Sequence, residues 1–334
     1  MNITVTGGLG FIGSHVVDAL LDAGEHVVII DSMVAAVTDG MEYEAHPRCE
    51  VHRVPVIEYL SEGSFDGTDV VIHAASPVGP AGIIADQGRL GNEIVGTATA
   101  VAEACLAAGS ALCTFSSAEV YGRSGLLAED DPIRVPVTYN ARIEYAIAKT
   151  LTEAVTLNNR HRGLRGIVIR PFNVAGSRQS RAGGFVVPTF VQQALAGEPL
   201  TVFAGGTQIR AFLAATDLAR FMTDHLQDAL DGPEAIFNLG NPDNAISVWS
   251  LAERVVSVLG SVSEIVHEDG RAIHGPLYEE AESLEKVPVL RNAPALGWRP
   301  DTPLEALIQQ TAGFYRSHDD LPALRPRGPV PASA

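Results

Sequence analysis

Short apolar runs alternate with longer amphipathic stretches through the first half of the chain. The runs are rich in Val and Ile, and their length is typical of strands buried inside a sheet. They cover residues 1–5, 27–31, 69–75, 111–117 and 166–171. The stretches between them have helical length and cover residues 14–23, 92–108 and 145–161. Strands that alternate with helices predict an α/β fold with a doubly wound parallel sheet of the Rossmann type.

The second half of the chain is less regular. Gly, Pro and Arg are spread through residues 177–210, and two later helices are predicted at 247–259 and 303–315. This pattern predicts a smaller C-terminal α/β lobe. The proline-rich end of the chain has little to bury and is expected to be disordered. The predicted division is a sheet domain at 1–175 with returning segments at about 211–240, a lobe at 176–210 and 241–318, and a tail at 319–334.

Three glycines separate the first predicted strand from the first predicted helix. Gly7, Gly10 and Gly13 have the spacing that lets the backbone approach a pyrophosphate at a helix N-terminus. Asp31 ends the second predicted strand, where an acid bonds the ribose hydroxyls of an adenosine and disfavours a 2′-phosphate. The turn therefore predicts a dinucleotide site with NAD as the cofactor.

Composition and charge narrow the class of protein. With 334 residues, of which 46% are hydrophobic, the chain can bury a large core. Its formal net charge of −17 argues against a nucleic-acid partner, because phosphate backbones need clustered Lys and Arg. The cysteines are odd in number and lack a paired metal-ligand spacing, so no metal site is expected. Without a leader or membrane-spanning run in the sequence, we expect a cytoplasmic protein with no membrane contact.

A tyrosine and a lysine are placed for acid–base chemistry. Tyr145 and Lys149 are four residues apart on a predicted helix, so both side chains face the same way. A free phenol has a pKa of about 10, and a nearby ammonium group together with the positive nicotinamide ring is expected to lower it. Ser117 ends a predicted strand at the same edge of the sheet, where its hydroxyl can share the substrate proton. We therefore expect Tyr145 to act as the base of an oxidation.

These motifs together resemble the extended short-chain dehydrogenase/reductase family, in particular its NAD-dependent nucleotide-sugar epimerases, dehydratases and decarboxylases. The resemblance extends to about residue 316. Besides the glycine turn and the Tyr145/Lys149 pair, it is carried by five segments: Ser116–Gly122, Arg170–Val174, Gly206–Phe212, Phe237–Pro242 and Leu296–Pro300.

The resemblance implies an enzyme that keeps its NAD and oxidises a UDP-linked nucleotide sugar to a 4-keto intermediate. It also implies that the smaller C-terminal α/β lobe is the substrate-binding lobe. The catalytic residues it implies are Ser117, Glu119, Tyr145 and Lys149. The residues implied to bind the coenzyme are Gly7, Gly10, Phe11, Ile12, Gly13, Asp31, Ser32, Ala74, Ala75, Tyr145 and Lys149. Those implied to bind substrate are Arg142, Asn173, Arg178, Val187 and Arg210. It also implies a homodimer formed through the helices at 92–108 and 145–161.

The fate of the 4-keto intermediate distinguishes the branches of the family. Glu119 matches decarboxylases and dehydratases, whereas Ala118 lacks the acid typical of 4,6-dehydratases and the serine of a decarboxylase relative. The segments 275–280 and 286–293 resemble UDP-glucuronate decarboxylases. We therefore favour decarboxylation of UDP-glucuronate. A 4-epimerase, a 4,6- or 5,6-dehydratase and a non-catalytic NAD-binding regulatory protein stay open as alternatives.

Overall fold

The structure, a computed structural model, describes residues 1–77, 79, 83–84, 86–135, 140–180, 183–270 and 284–318. Its strands are β1 (Asn2–Thr6), β2 (His26–Ile30), β3 (Cys49–His52), β4 (Val70–His73), β5 (Ala111–Phe115), β6 (Gly125–Leu127), β7 (Gly166–Pro171), β8 (Val174–Ala175), β9 (Leu200–Phe203), β10 (Ile209–Ala211), β11 (Leu213–Ala214), β12 (Ile236–Leu239), β13 (Ala245–Ser247), β14 (Ile265–Glu268) and β15 (Glu285–Pro288). The predicted tail at 319–334 and the segment 275–280 lie outside the described residues.

The helices alternate with the strands of the first half, as the sequence predicts. They are α1 (Phe11–Asp22), α2 (Met41–Glu44), α3 (Val56–Glu62), α4 (Leu90–Ala108), α5 (Ala141–Asn159), α6 (Val186–Ala196), α7 (Ala215–Asp224), α8 (Leu226–Asp231), α9 (Val248–Leu259), α10 (Asn292–Ala295) and α11 (Leu304–Ser317). Within the described residues, no helix has the length and apolar character needed to cross a membrane.

A seven-stranded parallel sheet forms the centre of the molecule. Its strands lie in the order β12-β7-β5-β4-β1-β2-β3, so the chain winds outward from β1 in both directions. The strands that it buries are almost wholly apolar, which is typical of a sheet covered on both faces. The predicted doubly wound fold is confirmed. Ligands of such sheets bind beyond the carboxyl ends of the strands, where the order reverses.

Two helices begin earlier than the sequence pattern predicts, because side chains cap their first turns. The Glu144 carboxylate accepts the backbone N–H groups of Gly88 and Gly91, at the start of α4, at 2.6 and 3.2 Å. The Asn140 side chain accepts the N–H of Ile143 at 2.9 Å at the start of α5. Caps satisfy the free N–H groups of a helix end. The periodicity of hydrophobic residues contains no information about caps, so it placed these two helix starts too late.

A smaller lobe lies beside the main sheet and has its own core. Its four-stranded sheet has the order β13-β10-β15-β6, and β9 pairs with β14. Helices α6, α9 and α11 pack together over a separate cluster of buried side chains. β6 lies within the range predicted for the sheet domain, yet it pairs with β15 of the lobe. The predicted domain boundaries stay a prediction.

A buried ion pair joins helix α5 to the main sheet. Arg170 of β7 donates from Nε and Nη2 to the two carboxylate oxygens of Glu153, at 2.9 and 2.7 Å. The side chains are only 3% and 4% exposed. Ser116 donates to the same carboxylate at 2.5 Å. Arg170 also donates to the Tyr121 hydroxyl at 3.0 Å, which donates to Asn238 at 2.7 Å.

The same network continues into the smaller lobe. The Asn238 side-chain amide donates to the carbonyl of Leu127, at the end of β6, at 3.0 Å. It also donates to the Val289 carbonyl, just after β15, at 3.3 Å. The Glu129 carboxylate accepts the backbone N–H of Asn238 and of Arg291, each at 3.3 Å. Buried polar groups therefore tie α5, the main sheet and the edge of the lobe into one network.

The substitution Arg170→Met tests how much this network stabilises the fold. It leaves the Glu153 carboxylate buried without its cation, so we expect the free energy of unfolding to fall by about 3–5 kcal/mol. Urea unfolding monitored by circular dichroism measures the loss. The control is Arg162→Met, which breaks an exposed pair with Glu103 and should cost about 1 kcal/mol or less. Equal losses in the two variants would contradict a stabilising role for the buried network.

Candidate active site

The glycine turn after β1 brings two backbone segments unusually close. Gly7 has a φ of +73°, and a Cβ at this position would lie 2.8 Å from the Ala75 nitrogen. A Cβ at Gly13 would lie 2.0 Å from the Gly7 oxygen. Helix α1 begins immediately afterwards, and its N-cap residue, Gly10, offers no side-chain cap. The N–H groups of the first turn therefore face a cradle that only glycine can form, as an anion site requires.

The loop after β2 forms the neighbouring part of this cradle. Asp31 is buried, and its carboxylate accepts the backbone N–H of Leu9 at 3.0 Å and that of Met33 at 2.8 Å. Burial raises the pKa of Asp31, and these N–H groups act against that rise. Ser32 is exposed beside it. The structure thus brings the predicted Asp31 to the glycine turn.

Ser117, Tyr145 and Lys149 come together at the carboxyl end of β5. The Tyr145 hydroxyl is hydrogen-bonded to Ser117. The Lys149 ammonium donates to the Phe115 carbonyl at 2.9 Å and lies 5.8 Å from the centre of the Tyr145 ring. Tyr145 and Lys149 are only 6% and 4% exposed. The side chains that the sequence singled out therefore share one buried site.

In the chain without its coenzyme, the pKa of the Tyr145 phenol is raised, and the lowering expected with NAD bound stays a prediction. Burial raises the pKa of Tyr145, the hydrogen bond from Ser117 lowers it, and the negative charge of Glu119 raises it again. The outcome is a phenol that is harder to ionise than a free one, because burial outweighs the hydrogen bond. A further positive charge is needed before Tyr145 can act as a base at neutral pH.

Lys149 has a lowered pKa for the same physical reason. Burial lowers the pKa of its ammonium group to about 8, and the carboxylate of Glu153 acts against this. Glu153 lies one helical turn further along α5, so the buried ion pair with Arg170 also influences the candidate catalytic lysine. His73, at the end of β4, is buried and neutral, because burial and the charge of Lys149 lower its pKa to about 3.

Three cations surround the carboxylate of Glu119 beside this site. The Lys286 ammonium donates to Glu119 Oε1 at 2.6 Å, and Arg142 Nη1 lies 3.7 Å from the same oxygen. Arg210 is the register partner of Lys286 between β10 and β15, and its charge also acts on Glu119. Burial alone would raise the pKa of Glu119, but the three cations lower it to about 2. We call Glu119, Arg142, Arg210 and Lys286 the charged cluster.

Sequence reasoning missed Lys286 as a site residue. It lies 167 residues from Glu119 along the chain, and its neighbours suggest only a strand. One signal was present, because the sequence contains only two lysines, Lys149 and Lys286, among its 23 basic residues. Both are buried at this site, although lysine is ordinarily among the most exposed residues.

Two predicted substrate residues are engaged in packing. Asn173, with a φ of +39°, donates from its side-chain amide to the Ala211 carbonyl at 3.2 Å and so joins the end of β7 to β10. Val187 is 1% exposed and packs in the core of the smaller lobe with Phe190 and Leu251. The structure does not place the Val187 side chain among the charged cluster. Its role in binding substrate stays a prediction.

Arg178, also predicted to bind substrate, contacts helix α1 instead. Its guanidinium group donates to Asp18 at 2.5 Å, to His15 at 3.1 Å and to the Tyr43 hydroxyl at 3.3 Å. None of these partners belongs to the charged cluster. The loop after β8 therefore directs the Arg178 side chain towards helix α1, and a role in binding substrate stays a prediction.

The lowered pKa of Lys149 can be measured directly. With two lysines in the chain, a protein labelled with ¹³Cε-lysine gives two signals, assigned through the variants Lys149→Arg and Lys286→Arg. In the ligand-free protein we expect the Lys149 signal to titrate near pH 8. The ammonium is charged below that pH and loses its charge as the pH rises through it. A midpoint near the ordinary value of about 10.4 would contradict the burial argument.

Comparison with known proteins agrees with this geometry. A sequence model described as the NAD dependent epimerase/dehydratase family matches residues 3–240. UDP-glucuronic acid decarboxylase 1 of Danio rerio is 29% identical over 94% of this chain and 72% of its own length. UDP-N-acetyl-alpha-D-glucosaminuronate decarboxylase of Bacillus cytotoxicus is 27% identical over 93% of this chain and 97% of its own length.

A solved structure shares the fold. UDP-glucuronic acid 4-epimerase from Bacillus cereus, in complex with NAD, superposes with a TM-score of 0.76 at 22% identity, over 95% of this chain and 99% of the epimerase chain. The matched family model spans the main sheet, the glycine turn and the Tyr145/Lys149 pair. The chain therefore belongs to the NAD dependent epimerase/dehydratase family, and its coenzyme is NAD.

Proposed function

We propose that this enzyme oxidises C4 of a UDP-linked uronic acid, with UDP-glucuronate as the preferred candidate, and that the 4-keto intermediate then loses CO₂. The charged cluster is the observation that carries the proposal. Lys286 and Arg142 lie 2.6 and 3.7 Å from a partly buried carboxylate oxygen of Glu119, near Ser117 and Tyr145. Such a cluster suits a ligand with a carboxylate one carbon away from the reacting hydroxyl.

The overall charge of the chain sharpens this argument. A protein with a formal net charge of −17 repels anions in general. Its three converging cations at the mouth of the sheet therefore mark a local site for an anion rather than a general property of the surface. Arg142, Arg210 and Lys286 come from α5, β10 and β15, so the folded chain has to assemble them.

The glycine turn and Asp31 fit NAD, since a Cβ at Gly7 or Gly13 would close the cradle and Asp31 lies at its edge. NAD, when bound, supplies the hydride acceptor and a positively charged ring that favours the phenolate of Tyr145. Tyr145 then takes the proton of the C4 hydroxyl, and Ser117, hydrogen-bonded to the phenol, shares it. Lys149 keeps a positive charge at the site below about pH 8.

The role of Glu119 follows from its pKa. A carboxylate whose pKa is about 2 binds protons weakly, so it is a poor general base at C5. Its ion pair with Lys286 instead supports the role of holding the cations of the sugar pocket in place. The 4-keto uronate is a β-keto acid, so CO₂ can leave as the electrons of the C5–carboxylate bond flow towards the C4 ketone. The resulting enolate takes a proton at C5, and return of the hydride to C4 gives the UDP-pentose with no net change of oxidation state at C4.

A 4-epimerase is the second candidate, and Ala118 favours it. Ala118 is 5% exposed and packs against Tyr121, Leu127 and Phe172. Alanine provides neither a hydroxyl group to assist C–C cleavage nor an acid to protonate a departing C6 hydroxyl. The absence of an acid counts against 4,6-dehydration. The absence of a hydroxyl group favours a reaction in which the 4-keto sugar keeps its carboxylate, rotates and is reduced on its other face.

The decisive experiment incubates the enzyme with UDP-glucuronate and analyses the product by chromatography and mass spectrometry. We expect release of CO₂ and formation of a UDP-pentose, and we expect Tyr145→Phe to abolish turnover. An isobaric product would establish the epimerase instead. If UDP-glucuronate is untouched while a neutral UDP-hexose loses water, both candidates are wrong.

The contribution of the charged cluster is tested in the same system by Lys286→Met. We expect the Kd of UDP-glucuronate to rise at least about tenfold, or about 1.4 kcal/mol. The Kd of UDP-glucose, which has the same diphosphate but no carboxylate, should change little. The control Arg291→Met removes a cation from an exposed pair with Asp130 on the same side of the lobe. Equal effects on the two sugars would contradict recognition of the carboxylate.

We also propose that the enzyme is a homodimer formed through α4 and α5. These helices are 19 residues long each and pack side by side. The groove between them is lined by Val95, Ile147 and Leu151, and Leu151 is 49% exposed. Gly91 and Gly96 on the same face leave room for a second helix pair to approach closely. A second copy of the chain is therefore the partner that fits.

The substitution Leu151→Glu tests the dimer. A charge at the centre of an apolar helix face should prevent association, so we expect light scattering to report the mass of one chain. Leu126→Glu, which changes an exposed leucine on β6 away from this face, should leave the dimer intact. A wild-type protein with the mass of one chain would contradict the proposal.

A further inference from the structure

The loop after β8 forms a strap between the coenzyme-binding half and the smaller lobe. We use strap for residues Gly176–Gln179. It follows Asn173 and the short strand β8 at the carboxyl edge of the main sheet. A Cβ built at Gly176 would lie 3.5 Å from Ala215 Cβ and 4.0 Å from the ring of Phe11, the first residue of α1. The strap therefore crosses the end of α1 that faces the glycine turn.

Hydrogen bonds between Arg178 of the strap and the side chains of His15 and Asp18 fix one end of the strap to helix α1. Arg178 Nη2 donates to Asp18 at 2.5 Å and to His15 Nδ1 at 3.1 Å. Because Arg can only donate, His15 Nδ1 is the acceptor. His15 Nε2 then donates to the Ser177 carbonyl at 2.9 Å. His15 thus bonds both to the strap backbone and to its arginine.

Two further hydrogen bonds join Tyr43 to Asp18 and Arg178. The Tyr43 hydroxyl donates to the second oxygen of Asp18 at 2.7 Å and accepts from Arg178 Nη1 at 3.3 Å. Burial and the charge of Arg178 lower the pKa of His15 to about 4, so its ring stays neutral at ordinary pH. Arg178 adopts this arrangement with a φ of +65°, a conformation that residues other than glycine rarely adopt. The contacts that Arg178 makes with α1 and α2 compensate for the energetic cost of this backbone conformation.

The other side of the strap is fixed to the smaller lobe. Ser177 Oγ donates to the Gln310 carbonyl of α11 at 3.4 Å, and the Tyr315 hydroxyl donates to the Gln179 carbonyl. Gln179 is 2% exposed, and its side-chain amide donates to the Val174 carbonyl at 3.0 Å. The strap is therefore held from two sides, by the smaller lobe and by helix α1.

We propose that Arg178 is a positioning residue that clamps the strap onto α1 and thereby slows the dissociation of NAD. The reasoning is that α1 offers its first-turn N–H groups to the pyrophosphate, and Phe11 in that turn lies under the strap. A released strap uncovers this end of the helix. Arg178 thus acts on coenzyme retention, independently of which sugar the enzyme converts.

The experiment measures how fast bound NAD exchanges with an excess of deuterated NAD, read out by mass spectrometry. For Arg178→Met we expect exchange about tenfold faster than in the wild type, as the loss of a charge-assisted contact implies. Asp18→Asn, which keeps the arginine but removes its anionic partner, should accelerate exchange less. In the double variant the effects should not add, because the two side chains form one interaction.

The control is Arg254→Met, which breaks an exposed ion pair with Glu305 between α9 and α11 of the smaller lobe. It should leave NAD exchange unchanged. Thermal unfolding of the NAD-free proteins shows whether Arg178 acts on NAD exchange or only stabilises the folded chain. If Arg178→Met lowers the melting temperature but exchanges NAD at the wild-type rate, the proposal is overturned. Where Arg178→Met does not fold, Asp18→Asn decides in the same way. Because the readout is NAD exchange, absence of turnover on UDP-glucuronate would overturn the proposed function alone.

Discussion

The buried pair of Arg170 and Glu153 is the constraint on which the site depends. Ser116, which donates to the same carboxylate, is the residue before Ser117. Glu153 is one helical turn after Lys149. A single buried ion pair therefore fixes the strand end that bears the serine and the helix that bears the tyrosine and lysine. An isolated buried pair gains little net stability, because both charges lose their hydration. The ion pair matters here for geometry, because it fixes the position of helix α5 relative to the main sheet.

Burial acts on the pKa values of Tyr145 and Lys149 more strongly than the neighbouring charges do. It makes the Tyr145 phenol harder to ionise and the Lys149 ammonium easier to deprotonate. Both shifts oppose the charged forms that catalysis uses, so the chain alone does not provide an activated base. The positive ring of the coenzyme completes the electrostatics. In the proposed function, oxidation by Tyr145 therefore depends on bound NAD.

The balance between the possible reactions depends on a small number of side chains. In the proposed function, Lys286, Arg142 and Arg210 bind the carboxylate of the sugar, and the lowered pKa of Glu119 makes it a weak base. Ala118, the residue before Glu119, carries no polar group and packs in a small hydrophobic cluster. Strong ion pairing retains a carboxylate, whereas loss of CO₂ requires that the carboxylate give up its charge. In the proposed function, the strength of ion pairing in the charged cluster therefore affects both how tightly the sugar binds and whether it loses CO₂.

The sequence by itself determined the features that depend on neighbouring residues. The alternating apolar runs predicted the main sheet, the glycine spacing predicted the turn after β1, and the four-residue spacing predicted that Tyr145 and Lys149 share a face. These predictions depend on backbone geometry and helical period, which act over a few residues. Tertiary structure decided the rest. Lys286 reaches Glu119 from 167 residues away, Arg178 turns to α1 rather than to the sugar pocket, and the Val187 side chain is buried in the core. Burial and long-range contacts set those positions and the pKa of Tyr145, because both depend on which distant segments pack together.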